Sequence, residues 1–304
     1  MSWSLQFVQL LNGIQLGLLL FLLGAGLTLV LGIMNFVNLT HGSLYMVGAY
    51  FAASLYNWSG SFLVVLAAVP ATLVFGMLLE RICLITLYRR DHLDQVLATF
   101  GLILFLDELV RAIWGPAPQF MVVPPMLSGT IGLFGIPYPA YRFLIICVGL
   151  AVALAVYLII HKTRVGMLIR AGANNRDMVG ALGVNIGRLN SIVFGFGAAL
   201  AGLAGVMAGP ILAIQPGMGA PILILTLVVI VVGGIGSIQG AFYAALIIGV
   251  VDTVGRTALP LMLRQLIEPS LAQAAGPPIA SMLIYILMAV VLAFRPQGLF
   301  PVRH

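Results

Sequence analysis

Charge is what this 304-residue chain has least of: Asp, Glu, Lys and Arg together make up 7% of it, and Lys162 is the one lysine. A soluble domain carries about a quarter charged residues, so a water-facing globular fold is excluded. Cysteine is nearly missing as well. Cys83 and Cys147 both fall inside apolar runs, which reads as core filler and implies no disulfide or metal framework. The four histidines, at 41, 92, 161 and 304, are scattered, so no convergent catalytic set stands out. The N-terminus, MSWSLQFVQLLNG, has no Lys or Arg to form the basic region of a cleavable signal, and the first apolar segment is expected to be kept. A phosphate-binding loop needs a Lys behind its glycines, and Lys162 stands in HKTR with no such glycines before it.

What fills the chain instead is apolar sequence, 62% of all residues, with a mean hydropathy of +1.16. Several runs reach the roughly 20 residues that a helix needs to cross a hydrocarbon core. None shows the period-two alternation of a membrane barrel. The expectation is an all-α, polytopic membrane protein of about 8–10 transmembrane helices, with spans over 9–33, 42–57, 62–87, 93–114, 141–161, 189–213, 221–234, 240–258 and 280–294. Residues 1–304 read as one transmembrane domain, with halves over about 1–140 and 141–304. The net charge of +6 does not point to nucleic acid, because the cations gather at span ends: Arg89 and Arg90, the run from Lys162 to Arg188, and Arg295 onward. That side is expected to be cytoplasmic. The other side holds Arg111, Arg142, Arg256 and Arg264, so the N-terminus is expected outside and RPQGLFPVRH inside.

Two interruptions resemble each other. GIMNFVNLTHGSLYMVGAY (32–50) and GGIGSIQGAFYAALIIG (233–249) each end an apolar helix in polar, Gly-rich sequence and resume at Gly42-Ser43-Leu44-Tyr45 and Gly240-Ala241-Phe242-Tyr243. This is a weak two-half repeat. Paired interruptions of this kind mark a transport path, since unwound backbone survives at membrane depth only beside protein or water. The path candidates are Asn35, Asn38, Thr40, His41, Gly42 and Tyr45 from the first, and Gly233, Gly234, Gly236, Ser237, Gln239 and Gly240 from the second. The plainer reading, in which Asn35, Asn38 and His41 only cap helix ends, stays open.

The most polar stretch is the expected cytoplasmic segment 162–190, KTRVGMLIRAGANNRDMVGALGVNIGRLN. Asn174 is expected to cap a short helix over 175–182, with Asp177 in a capping-box position and Gly183 ending it. Such an element suits docking at the cytoplasmic face; a loop lying on lipid headgroups is the alternative. The Gly- and Ala-rich stretch 195–209 reads as close-packed scaffold. Among membrane ionisables, Asp107 with Arg111 and Asp252 with Arg256 are spaced i,i+4 and are expected to pair, and Glu80 with Arg81 is read the same way; a proton relay is the alternative.

Four stretches, in order around the expected spans, carry a resemblance. They are Asn35-Phe-Val-Asn-Leu-Thr-His-Gly-Ser-Leu-Tyr-Met, Arg170-Ala-Gly-Ala-Asn-Asn-Arg-Asp with Ala-Leu-Gly-Val-Asn and Arg188 behind it, Gly233-Gly-Ile-Gly-Ser-Ile-Gln-Gly-Ala, and the terminal Arg295-Pro-Gln-Gly-Leu-Phe. Together they resemble the LivH-like permease subunit of branched-chain amino-acid type ABC importers, over nearly the whole chain. Members usually have a shorter Asn-Phe-Ala-His-Gly-like run, whereas here Asn38-Leu39-Thr40 adds residues before His41. The resemblance implies a type II ABC importer-like permease in the bacterial inner membrane, paired with a second permease, a LivM-like paralogue. It implies two ATP-binding subunits that dock on 170–188, and an extracytoplasmic solute-binding protein. Arg170, Asn174, Arg176, Asp177, Met178 and Gly183 are then the coupling candidates. ATP and Mg would belong to the ATPases, with no cofactor on this chain. The solute would be a branched-chain amino acid, an amide, urea or a small carboxylate. The outer segment 115–140, rich in Pro and Gly, would face the binding protein or the partner permease. A secondary carrier or channel is the alternative; it would want a mid-membrane carboxylate without a cationic neighbour, and none is evident.

Overall fold

The computed structural model describes residues 3–34, 36–265 and 268–300; the side chains of Arg89 and Asp177 also lie outside the described set. Twelve α-helices are present among the described residues. They are α1 (Trp3–Met34), α2 (His41–Ser59), α3 (Phe62–Val65), α4 (Ala68–Leu79), α5 (His92–Trp114), α6 (Ala140–Lys162), α7 (Arg164–Asn174), α8 (Arg176–Ala181), α9 (Ile186–Ala208), α10 (Gly219–Gly233), α11 (Ile238–Leu263) and α12 (Pro269–Phe294). Among the described residues six spans are long and apolar enough to cross a membrane, namely α1, the stretch Phe62–Tyr88, α6, α9, α11 and α12. The chain is a multi-pass helical membrane protein. Each of the nine expected spans has a helical counterpart, with α10 the short one at 15 residues. The stretch 62–87 is built from α3, α4, a π-helical turn (Glu80–Leu84) and a 3-10 turn (Ile85–Arg89).

Helices that are apolar all round must be buried or face lipid, and packing divides them between the two. α1 and α9 are buried over most of their length, while α6, α11 and α12 expose most of theirs. Small residues let the central helices touch backbone to backbone: Gly26 of α1 on Gly197 of α9, Gly13 and Gly17 of α1 on α11, and Gly205 of α9 on the Tyr45 backbone of α2. The expected scaffold role of 195–209 is what these contacts describe. They also fix direction. Gly13 and Gly17 meet Val250 and Ala245, and Gly32 meets Gly236, so α1 and α11 run antiparallel.

The segment 115–140 is not irregular throughout. Thr130–Leu133 (β1) and Ile136–Pro139 (β2) pair antiparallel, with Thr130 opposite Pro139. Phe134 and Gly135, at φ of 52° and 80°, make the two-residue turn with both residues left-handed that such hairpins favour. Tyr138 holds the hairpin to the bundle by donating to Asn12 Oδ1 at 3.2 Å, beside Arg142, which donates to the same atom at 2.9 Å.

Three expectations are corrected. Cys83 and Cys147 are exposed on the outside of their helices; in lipid an apolar residue gains nothing by turning inward. Arg111 pairs with Glu108 at 2.9 Å, while Asp107 turns toward Gly217 in the loop between α9 and α10, 4.0 Å from where a Cβ there would stand. Glu80 is held by Tyr88 and Ser191, each at 2.7 Å, and not by Arg81. The Asp252 to Arg256 pair forms as expected, at 2.8 Å.

Candidate translocation and coupling site

The first interruption is a re-entry. After Met34 the chain has no regular structure over Phe36–Asn38 and starts α2 inside the bundle, where the His41 ring meets α1: a Cβ on Gly26 would lie 3.0 Å from His41 Cε1. Gly26 stands eight residues before the end of α1, which at 1.5 Å per residue is roughly 12 Å of depth. Unwound backbone at that depth needs partners. Asn38 Oδ1 accepts from the Thr40 amide at 3.0 Å and from the Thr40 hydroxyl. The Val37 amide donates to Gln95 Oε1 at 3.4 Å, and Gln95 Nε2 donates onward to the carbonyls of Arg90 at 3.0 Å and Leu87 at 3.3 Å. Gln95 was not visible as a site residue in the sequence, because nothing local links positions 37 and 95. Three buried polar atoms around the re-entry have no partner among the described residues: Thr28 Oγ1, Asn38 Nδ2 and His41 Nε2. Each such atom costs about 1–3 kcal/mol unless something completes it. Asn35 lies outside the described residues.

Gly42 and Tyr45 are packing positions in α2. A Cβ on Gly42 would press on the Gly219 carbonyl and lie 2.8 Å from Leu223 Cβ, both on α10, and buried Tyr45 offers its backbone to Gly205.

The second interruption sits at the other end of α10. Gly233 closes on Gly240, while Gly234 and Gly236 turn the chain at φ of 106° and 84°. Ser237 caps α11, its Oγ accepting from the Gly240 amide at 3.0 Å. The C-terminal tail completes the turn: the Leu299 and Phe300 amides donate to the carbonyls of Val232 at 2.9 Å and Gly233 at 3.0 Å. A helix end otherwise leaves those carbonyls open. Phe300 stacks on Tyr243 at 5.1 Å, so the terminal motif is a cap.

A cavity of about 900 Å³ opens at this end of the bundle. Its wall takes Thr28 and Gly32 from α1, His161 from α6, Arg170, Asn174 and Arg176 from the segment behind it, and Gly236, Ser237 and Gln239 from the second interruption. It therefore joins three path candidates to three coupling candidates. Asn38, Thr40, His41, Gly42, Tyr45, Gly233, Gly234, Gly240, Met178 and Gly183 are not among its lining. Thr28 stands on the helix that His41 packs against and is also part of the cavity wall, though its hydroxyl is buried and unpartnered.

The polar segment holds two short helices. Thr163 caps α7, its hydroxyl accepting from the Gly166 amide at 3.1 Å, and the Arg170 guanidinium donates to the Ile160 carbonyl at the end of α6. The cap of α8 is Asn175, whose Oδ1 accepts from the Met178 amide at 2.9 Å; Asn174 is the last residue of α7. The expected cap is thus one residue early, because α7 continues through Asn174. Gly183 ends the turn at φ 88°, as expected. Arg176 is half-buried against the cavity, whereas Met178 of α8 and Leu182 just behind it are 58% and 76% exposed, which puts two large apolar side chains at the surface there. The capping-box placement of Asp177 concerns a side chain outside the described set.

Comparison with known proteins matches residues 9–292 to the family described as the permease component of the branched-chain amino acid transport system. The chain is 29% identical over 307 residues to the high-affinity branched-chain amino acid transport permease BraD of Pseudomonas aeruginosa, covering 96% of this chain and 94% of that protein. It is 28% identical over 267 residues to the permease LivH of Escherichia coli, covering 83% and 86%. It is also 26% identical over 240 residues to the ribose import permease RbsC of Escherichia coli, covering 75% and 71%.

Proposed function

Since the chain belongs to the permease family of branched-chain amino acid transport systems, we propose that it is the path-forming subunit of an ATP-driven importer in the bacterial inner membrane. Separate ATPase subunits that carry ATP and Mg drive it, a second permease pairs with it, and an extracytoplasmic binding protein feeds it. The solute is a branched-chain amino acid or a small polar relative. The likeness to permeases named for amino acids and for ribose supports leaving most of the selection to the binding protein.

The observation that carries this reading is the cavity, in which the inner end of the buried helix α1, the second interruption and the polar segment 162–190 share one wall. A solute that passed the unpartnered atoms of Asn38, His41 and Thr28 would reach it. An ATPase seated on the exposed Met178 of α8 and Leu182 behind it would move one side of that wall. Closure against the other side would switch access in the manner of hinged and sheared helix pairs.

Reconstitution tests it. The chain with its partner permease, ATPases and binding protein in lipid vesicles is expected to take up leucine only with ATP inside the compartment that holds the ATPases. Met178→Asp with Leu182→Asp is expected to strip the ATPases from a folded membrane complex. Ion-driven uptake by this chain alone, without ATPases, would overturn the importer reading.

A further inference from the structure

Glu80 is a buried acid that the reading above does not use. It is 1% exposed and begins the π-helical turn at which α4 ends. Its Oε1 accepts from the Tyr88 hydroxyl at 2.7 Å and its Oε2 from the Ser191 hydroxyl at 2.7 Å. Among the described residues no Lys, Arg or His makes a salt bridge to it, and Arg81 is exposed. A carboxylate in that position is costly unless each oxygen is held, and hydroxyl donors bind an ionised acceptor more strongly than a neutral one. Single π-helical turns also interrupt helices mostly at functional places.

The two donors lead to the two regions that transport has to connect. Ser191 stands near the start of α9, directly behind α8. Tyr88 meets Phe36 of the first interruption edge to face, ring centroids 5.3 Å apart. Phe36 is fully buried and stands two residues before Asn38. Gly180 of α8 packs on Ile186 at the start of α9, so a set of contacts runs from α8 through the start of α9 to Ser191, Glu80, Tyr88 and Phe36.

We propose that Glu80 is a positioning residue for transport, clamping Tyr88 and Ser191 so that displacement of α8 is passed to the first interruption through Phe36. This rests on the proposed importer reading, in which α8 meets an ATPase. Glu80 touches no solute and acts only through its donors.

The test uses the complete complex in lipid vesicles, reading the ratio of ATPase activity with and without leucine-loaded binding protein, leucine uptake, and subunit composition. Glu80→Gln keeps the shape and removes the charge, and Tyr88→Phe removes the hydroxyl and leaves the ring on Phe36. Each is expected to lower the stimulation ratio about fivefold or more with all subunits still present, and the double variant is expected to be no worse than the stronger single one. Ratios within about twofold of wild type, or losses that multiply in the double variant, overturn the proposal. Should Glu80→Gln not assemble, Tyr88→Phe decides alone: an unchanged ratio with only a lowered thermal midpoint makes the cluster structural and overturns the clamp. A wild-type complex that binds no ATPases, or whose ATPase ignores the loaded binding protein, sinks the importer reading and the clamp together. Unaffected variants in a responsive wild-type complex sink the clamp only.

Discussion

The turn at 36–42 and the turn at 233–240 each bring a glycine against α10, Gly42 on Gly219 at one end and Gly240 on Gly233 at the other. Their surroundings differ. The first is enclosed, its backbone completed by Asn38 and by the distant Gln95, with Asn38 and His41 keeping unpartnered buried atoms. The second is at the rim, completed by Ser237 and by the C-terminal tail, with Gly236, Ser237 and Gln239 facing the cavity. The sequence likeness of the two stretches therefore records a shared packing job, bracketing one short helix. The difference in polarity records two depths along one route.

The largest effects are expected at the shared feature. Leucine at position 42 or 240 sets side-chain atoms against backbone, which cannot rotate away as a side chain would. Overpacking of this sort costs about 3 kcal/mol. Gly42→Leu is expected to abolish recovery of folded complex, read as yield and thermal midpoint. Gly240→Leu is expected to be milder, because a turn beside an open cavity has room to shift. A Gly240→Leu variant that is the more damaged of the two would break the contrast between an enclosed and an open turn.

A smaller effect sharpens the enclosed side. Gln95→Leu removes the acceptor of the Val37 amide and the donor to the Arg90 and Leu87 carbonyls. At about 1–3 kcal/mol for a buried polar group left unpaired, a lowered thermal midpoint is expected along with reduced uptake per assembled complex. Ser237→Ala is the matching change at the rim and is expected to cost about 1 kcal/mol as a lost helix cap. Equal losses at the two positions would mean that the first interruption is no more enclosed than the second.

How much of this was legible in the sequence follows the range of the physics involved. Apolar run length and Gly-rich polar breaks are properties of contiguous residues, and they placed nine helical segments and both interruptions. Local turn chemistry was legible at Gly183, which ends α8 where a left-handed residue was expected. It failed by one residue at the α8 cap, because Asn174 and Asn175 are chemically identical and only the continuation of α7 tells them apart. Orientation failed wholesale for Cys83 and Cys147, since on a helix apolar all round hydropathy does not separate the lipid side from the protein side. The partners of Glu80 and Val37 were out of reach because Ser191 and Gln95 arrive from other helices.

The smallest expected effect tests the wall that faces the rim turn across the cavity. Asn175 Oδ1 accepts from the Met178 amide, and its loss in Asn175→Ala is expected to cost about 1 kcal/mol of local helix stability. Asn174→Ala, at the exposed last residue of α7, is expected to cost no more than a few tenths of that scale, since alanine is the better helix former there. A six-residue helix such as α8 is marginal by itself, so a loosened cap is expected to raise amide exchange over 176–183 while leaving α9 protected. If the polar segment serves ATPase docking, Asn175→Ala is expected to weaken retention of ATPases on purification and Asn174→Ala to leave it unchanged. The opposite pattern would place the cap at Asn174 and undo the register of α8. No effect from either on exchange or on retention would leave the cavity wall indifferent to the order of α8, and the comparison between the enclosed turn and the rim turn would lose its link to coupling.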